Sequence, residues 1–231
     1  MKYKHLFFDL DHTLWDFEAN ARATLETLYS DMQLLARGVN DFELFYRNYL
    51  GHNEKLWERY RRGYIRQEEL RVKRMWLSLL DFKIADDELS KKLSIQFLDL
   101  LPTRTLLFPH TKEILQYLTD KGYVLHLITN GFEKVQHSKL KYSGLDLFFK
   151  EVVTSEGSNS LKPNKEIFEY ALHKSGAGLH ESIMLGDTID VDILGARNAG
   201  MDQVFVNHLK ITVADQPTYT VHSLKELEEI F

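Results

Sequence analysis

Cysteine is absent from all 231 residues. Its absence excludes disulfides, thiolate metal ligands and a cysteine nucleophile, and it fits a reducing compartment. No long apolar run opens the chain. Met1-Lys2-Tyr3-Lys4-His5 leads into only a few apolar residues before Asp9, too short for a signal peptide or a membrane span. The expectation is a cytoplasmic protein. No excess of positive charge is present either. A formal net charge of -5 gives no global signature of a nucleic-acid polymer or a membrane as partner. Internal repeats and low-complexity segments are lacking, and proline is scarce, at four residues. What remains is ordinary for a globular protein: 44% hydrophobic and 27% charged residues. The length suits one large domain, or a core with a smaller companion.

Against this plain background, Asp9-Leu10-Asp11-His12-Thr13 stands out directly after the apolar run Leu6-Phe7-Phe8. In a strand, residues i and i+2 point to the same face. If the strand stays extended, the two carboxylates crowd together. Like charges that close must share a proton, gain a cation, or bend apart into different roles. A solvated acidic turn is the ordinary alternative for any single pair of this kind, so the rest of the chain has to decide.

Four short apolar runs with little polar alternation read as strands covered on both faces: Leu6–Phe8, Val124–Ile128, Ile183–Leu185 and Val204–Val206. Helical patterns lie between them, at Thr111–Lys121, Asn164–Ser175 and Ile189–Ala199. This alternation predicts βαβ units and an open, doubly wound parallel sheet. Ser223 is a plausible N-cap for a last helix over Leu224–Ile230. Residues 16–97 differ, because no strand-like run interrupts them. Helices are expected at Phe17–Leu35, Asp41–Tyr60, Arg66–Leu80 and Asp86–Leu100, with the Pro102 to Pro109 stretch returning to the core. The expected organisation is a core of residues 1–15 and 98–231 with an all-helical insertion at 16–97.

The residues that close each apolar run carry the chemistry. The first run ends in Asp9 and Asp11, the second in Thr129-Asn130-Gly131, the third in Gly186-Asp187-Thr188-Ile189-Asp190-Val191-Asp192. Leu161-Lys162-Pro163-Asn164 opens a helix between the second and third. Ligands of open α/β sheets bind outside the carboxyl ends of the strands, so these side chains are expected on one edge of one sheet. Taken singly, Asn130-Gly131 is an ordinary turn favouring positive φ, Lys162 a solvated lysine, and Asp187 or Asp192 a turn or cap residue. Asp190 competes with Asp192 on these grounds. Together they suit phosphoryl transfer. A carboxylate can attack phosphorus and divide a very slow hydrolysis into two easier steps, and a second acid can move the protons. A hard cation such as Mg²⁺, held by oxygen ligands, offsets the repulsion between carboxylate and phosphate.

The ordered set Asp9-x-Asp11-x-Thr13, Thr129-Asn130, Lys162-Pro163 and Gly186-Asp187-x4-Asp192 resembles the four motifs of the haloacid dehalogenase superfamily, in the same order and across the whole chain. The resemblance implies an α/β, Rossmann-like core with a helical cap inserted after the first motif. It implies Asp9 as nucleophile and Asp11 as general acid/base, and a Mg²⁺ held by Asp9, Asp187 and the backbone carbonyl of Asp11. Asp192, preferred over Asp190 on this resemblance, would support the metal from behind. Thr129, Asn130 and Lys162 would hold the phosphoryl group. His12 stands where many members carry glycine.

Within the superfamily the chain is similar to the pyrimidine 5'-nucleotidases. The supporting stretches are Asn53-Glu54-Lys55-Leu56-Trp57, Tyr60 with Gly63-Tyr64-Ile65, Ile128 to Phe132, and Lys162-Pro163-Asn164-Lys165-x-Ile167-Phe168. This similarity implies a nucleoside 5'-monophosphate as the small phosphorylated substrate. Three other readings stay open. They are a phosphatase or phosphomutase acting on a sugar phosphate or phosphoglycolate, a 2-haloacid dehalogenase, and a non-catalytic binding module. An excess of basic residues between Lys55 and Arg74 could draw in anions or simply form a solvated face. Phe42, Phe45, Tyr46 and Tyr49, at helical spacing, are expected in the core of the helical insertion.

Overall fold

Strands β1 (His5–Phe8), β2 (Val124–Thr129), β3 (Phe149–Thr154), β4 (Ser182–Gly186), β5 (Asp202–Val206) and β6 (Tyr219–Val221) pair side by side in the order β3-β2-β1-β4-β5-β6. Every pairing is parallel. The structure is a computed structural model and describes residues 2–231. β1 and β4 are buried along their whole lengths, which explains their unbroken apolar runs. On one face Phe7, Ile128, Val153, Phe168, Met184 and Met201 form a continuous core.

The chain leaves β1 for β2 and β3 on one side, then returns to β4 on the other. This reversal is the place where open parallel sheets leave a crevice at their carboxyl ends. Helices α5 (Thr111–Asp120), α6 (Glu133–Ser143), α7 (Ser155–Ser158), α8 (Lys165–Ser175) and α9 (Leu194–Asn198) make the connections. A π-turn over Ile189–Ile193 runs straight into α9, where a single regular helix was expected. The closing segment is a 3₁₀ helix, Leu224–Glu229, and the Ser223 hydroxyl accepts from the Lys225 N–H at 3.3 Å.

The strands β3 and β6 and the helices α6 and α7 escape the sequence reading. β3 carries Lys150 and Glu151, and β6 is three residues long. Both lie at the sheet's edges, where exposed faces tolerate polar side chains and the buried-strand signature fades. Of the two helices, α7 is only four residues long, and α6 has a buried face made of Gln136, Lys139, Leu140 and Ser143. With a polar buried side it has little apolar periodicity to detect.

By its contacts the chain divides into two compact units: the residues up to Phe17 together with Thr105–Phe231, and Glu18–Arg104. The second holds most of α1 (Phe17–Asp31), with α2 (Phe42–Arg61), α3 (Gln67–Leu80) and α4 (Asp87–Leu100). Asp41 and Asp86 cap α2 and α4, accepting from the N–H groups of Leu44 and Leu89 at 3.0 and 2.9 Å. α1 stops at Asp31, short of the expected Leu35, and turns come after it. Phe45 and Tyr49 are fully buried in this unit beside Leu70, Met75 and Phe97, while Phe42 and Tyr46 are only partly covered.

Candidate active site

The ladder of β1 runs one residue past the strand, because the Asp9 N–H donates to the Leu185 carbonyl at 2.8 Å. The chain then turns tightly, with the N–H groups of Leu14 and Trp15 both donating to the Leu10 carbonyl. His12 sits in this turn at φ 64°, in the left-handed region. Glycine enters that region freely, whereas a side chain there is strained by about 1–2 kcal/mol. The glycine of many superfamily members thus has a backbone reason, and this chain bears the strain with the His12 ring tilted against that of Phe17, 5.2 Å between centres.

The two acids of the first motif do not crowd each other; each has its own lysine. Lys162 Nζ donates to Asp9 Oδ1 at 2.5 Å, and Lys139 Nζ to Asp11 Oδ1 at 2.5 Å. Lys162 reaches Asp9 from the segment before α8, where it is only 1% exposed. Its ammonium also meets Asp192 Oδ1 at 2.7 Å and donates to the Ile128 carbonyl at 2.8 Å. Burial alone would favour losing the proton. Asp192 and Asp9 more than reverse that, so the ammonium stays charged.

Asn130 explains how a lysine is held so far from its partners in sequence. Its carboxamide donates to the Lys162 carbonyl at 2.9 Å and accepts the Lys162 N–H at 2.8 Å. The side chain is therefore committed to the lysine backbone. Thr129 ends β2, nearly fully buried. Its Oγ1 accepts from the Gly131 N–H at 3.1 Å and from Gln136 Nε2 at 2.7 Å. With both lone pairs engaged, the hydroxyl's remaining capacity is to donate. Gly131 is not in a positive-φ conformation, contrary to the usual reading of Asn-Gly. A Cβ there would lie 2.1 Å from Gln136 Nε2, so the glycine makes room for that amide.

Asp187 comes directly after β4, with Thr13 Oγ1 donating to Oδ1 and Thr188 Oγ1 to Oδ2, each at 3.1 Å. Asp192 lies buried in the π-turn and accepts from the Thr188 N–H at 3.1 Å. Gly186 allows this, since a Cβ there would approach the Asp192 carboxyl group to 2.5 Å. Asp190, the competing candidate, is exposed. The structure thus brings Asp9, Asp187, Asp192 and Lys162 into one cluster, with Thr129 and Asn130 alongside through Lys162 and the end of β2.

The cluster is short of positive charge. Oxygens of Asp9, Asp187 and Asp192 lie within 4.8 Å of one another, yet the ammonium among them is that of Lys162. Burial pushes Asp9 well above the usual carboxylate range, against the pull of Lys162 and with that of Asp192 and Asp187. Burial and Asp192 likewise raise Asp187 to about 6, opposed by His12 and the two threonine hydroxyls. Three crowded carboxylates with one ammonium fit a divalent cation in both charge and donor type. The all-oxygen set suits Mg²⁺ better than a thiophilic metal.

Two further residues at this site were missed from the sequence, Gln136 and Lys139, both on α6. Gln136 Nε2 donates to Asp11 Oδ2 at 2.8 Å as well as to Thr129. The signal was available in principle: a glutamine and a lysine three residues apart, just after Thr129-Asn130-Gly131, share a helix face.

Known proteins resemble this chain over almost its whole length. The chain is 32% identical over 230 residues to pyrimidine 5'-nucleotidase PynA of Streptococcus pneumoniae, covering 98% of this chain and 94% of that protein. It is also 32% identical to pyrimidine 5'-nucleotidase YjjG of Escherichia coli, covering 100% and 98%. Among solved structures, the HAD-hydrolase YfnB of Bacillus subtilis, bound to magnesium, superposes with a TM-score of 0.90 at 26% identity, covering 100% and 99%. The family of haloacid dehalogenase-like hydrolases matches residues 3–200, a span that takes in every residue of the cluster. The chain belongs to the haloacid dehalogenase-like family of hydrolases.

Proposed function

We propose that the protein is a Mg²⁺-dependent phosphomonoesterase that works through an aspartyl-phosphate on Asp9 and takes nucleoside 5'-monophosphates as substrates. The observation that carries this reading is the buried ammonium of Lys162, pinned between Asp9 and Asp192 beside Asp187. It supports the reading because a fixed positive charge beside the nucleophile can balance the oxygens of a transferring phosphoryl group. The substrate class rests on the two nucleotidase relatives.

In this reading the Thr129 hydroxyl and the Lys162 ammonium receive the phosphoryl oxygens, and Asn130 holds Lys162 in place. A carboxylate oxygen of Asp9 attacks phosphorus as the bond to the nucleoside 5'-oxygen breaks, and Asp11 gives that oxygen a proton. Water then attacks phosphorus, its proton passes to Asp11, and the Asp9–phosphorus bond breaks to release inorganic phosphate. Asp9, Asp187 and the backbone carbonyl of Asp11 would hold the metal, with Asp192 behind them. When bound, Mg²⁺ offsets the repulsion between the Asp9 carboxylate and the phosphate dianion. The helical unit Glu18–Arg104 takes the part of the cap.

The test is phosphate release from a panel of nucleoside monophosphates, sugar phosphates and short organic phosphates, with Mg²⁺ and with a chelator. Nucleoside 5'-monophosphates should rank first, and the chelator should silence the enzyme. Asp9→Asn should abolish turnover; undiminished hydrolysis by that variant removes Asp9 as nucleophile. A sugar phosphate ranking above the nucleotides overturns the substrate assignment.

A further inference from the structure

Asp11 is gripped at both of its carboxylate oxygens by one helix face. Lys139 Nζ donates to Oδ1 at 2.5 Å, and Gln136 Nε2 donates to Oδ2 at 2.8 Å. Those donors sit three residues apart on α6, so they project from the same side of the helix. The same Gln136 amide donates to Thr129 Oγ1 at 2.7 Å. One NH₂ group thereby spans two side chains, the proposed proton carrier and the proposed phosphoryl ligand.

A simple tether between α6 and the first loop would not need this construction. Lys139 is 2% exposed, and its ammonium lies 4.2 Å from the centre of the Trp15 ring and 5.6 Å from that of Phe17. Desolvating an ammonium costs several kcal/mol, and an apolar side chain would fill such a cage at no such cost. The Asp11 side chain, by contrast, remains 24% exposed. Gln136 is fully buried, and its Oε1 has no hydrogen-bond partner among the described residues, so its orientation is set by donating rather than by accepting. Gly131 is required for that orientation, because any Cβ would displace the amide.

We infer that Lys139 and Gln136 are positioning residues that hold the Asp11 carboxyl group in register with Thr129 for proton transfer to the leaving oxygen. The inference rests on the reading of Asp11 as the proton carrier. Neither residue touches the substrate; both act through Asp11, and Gln136 also through Thr129. Proton delivery matters most when the leaving group is a poor one, as with the alkoxide of a nucleoside. It matters little when the leaving group is a stabilised phenolate.

The experiment compares Lys139→Met, Gln136→Leu and Asp11→Asn on uridine 5'-monophosphate and on p-nitrophenyl phosphate, each at saturating Mg²⁺. Lys139→Met and Gln136→Leu should lose about 100-fold in kcat on the nucleotide, the lower range for general acid–base catalysis, and under about tenfold on the aryl ester. Lys139→Arg, which keeps a charged donor, should recover most of the nucleotide activity. Equal losses on both substrates, while Asp11→Asn separates them, would overturn the positioning role. Should Asp11→Asn itself fail to separate the two esters, the proton-carrier reading beneath it falls instead. Reading two single variants keeps the outcome from depending on the folding of either one.

Discussion

Glycines at this site act through the space that they leave. Gly186 is fully buried at the end of β4, and the Asp192 carboxyl group occupies the volume that a Cβ would take. Gly186→Ala must push Asp192 off, and with it the 2.7 Å contact to the Lys162 ammonium. A buried charge robbed of one partner costs several kcal/mol. The variant should therefore lose about 3 kcal/mol of stability in a urea titration, with turnover falling too. An unchanged midpoint would show that the turn after β4 absorbs the methyl group by moving. The same logic separates Asp192 from Asp190. Two residues apart in sequence, one is buried against Lys162 and the other faces solvent.

At the level of elements, the capped starts of helices proved legible and the polar buried faces did not. Asp41 and Asp86 stand one residue before α2 and α4 and accept the N–H groups three residues on. This is the expected geometry of an aspartate N-cap, and the sequence pattern places both helix starts to within one residue. Asp86→Ala should cost about 1 kcal/mol in the unit Glu18–Arg104, read as a lower midpoint of thermal unfolding with activity per folded molecule retained. A shift of zero would mean that the first turn of α4 finds another acceptor. α6 is the opposite case. Its inward residues include Gln136 and Lys139, which belong to the chemistry rather than to a hydrophobic core, so no apolar stripe announces them. β3 and β6 were missed for a related reason, since edge strands need not be apolar on both faces.

For the whole molecule, the buried histidine pair of the sheet sets how the fold responds to acid. His126 in β2 is fully buried, stacked on Phe7 at 4.7 Å and on His5 at 5.3 Å. His5 Nδ1 and His126 Nε2 are 3.0 Å apart, so a single proton lies between them. Burial, with His5 and Lys150 nearby, lowers the pKa of His126 to about 4, and burial lowers that of His5 as well, against the pull of Glu181. A histidine depressed in the folded state takes up its proton first in the unfolded chain. Stability is therefore lost as pH falls from about 6.5 towards 4, and no further loss comes from this group below that. Asp9 and Asp187, both raised in the folded state, the latter to about 6, work in the opposite sense in the metal-free protein, so the wild-type curve mixes these contributions. The contrast with His126→Phe isolates the histidine: between pH 6.5 and 4 the variant should lose less stability than wild type in denaturant titrations. Parallel acid limbs for the two proteins would refute the assignment.

Local chemistry written into the residue order determined much of this protein. Short apolar runs specified the buried strands β1, β2, β4 and β5, and the residues closing three of them specified an edge rich in carboxylates, a hydroxyl and a lysine. Those features survive because strand burial and helix capping depend on neighbours within a few positions. Tertiary structure alone decided the partners. Asp9 meets a lysine 153 positions away, and Asp11 meets one 128 positions away. Whether two like charges crowd or part depends on which cation each one reaches. Contacts across that much chain are set by sheet order and helix packing: strand-end placement puts Lys162 on the same edge as Asp9, but no apolar pattern assigns Lys139 to Asp11.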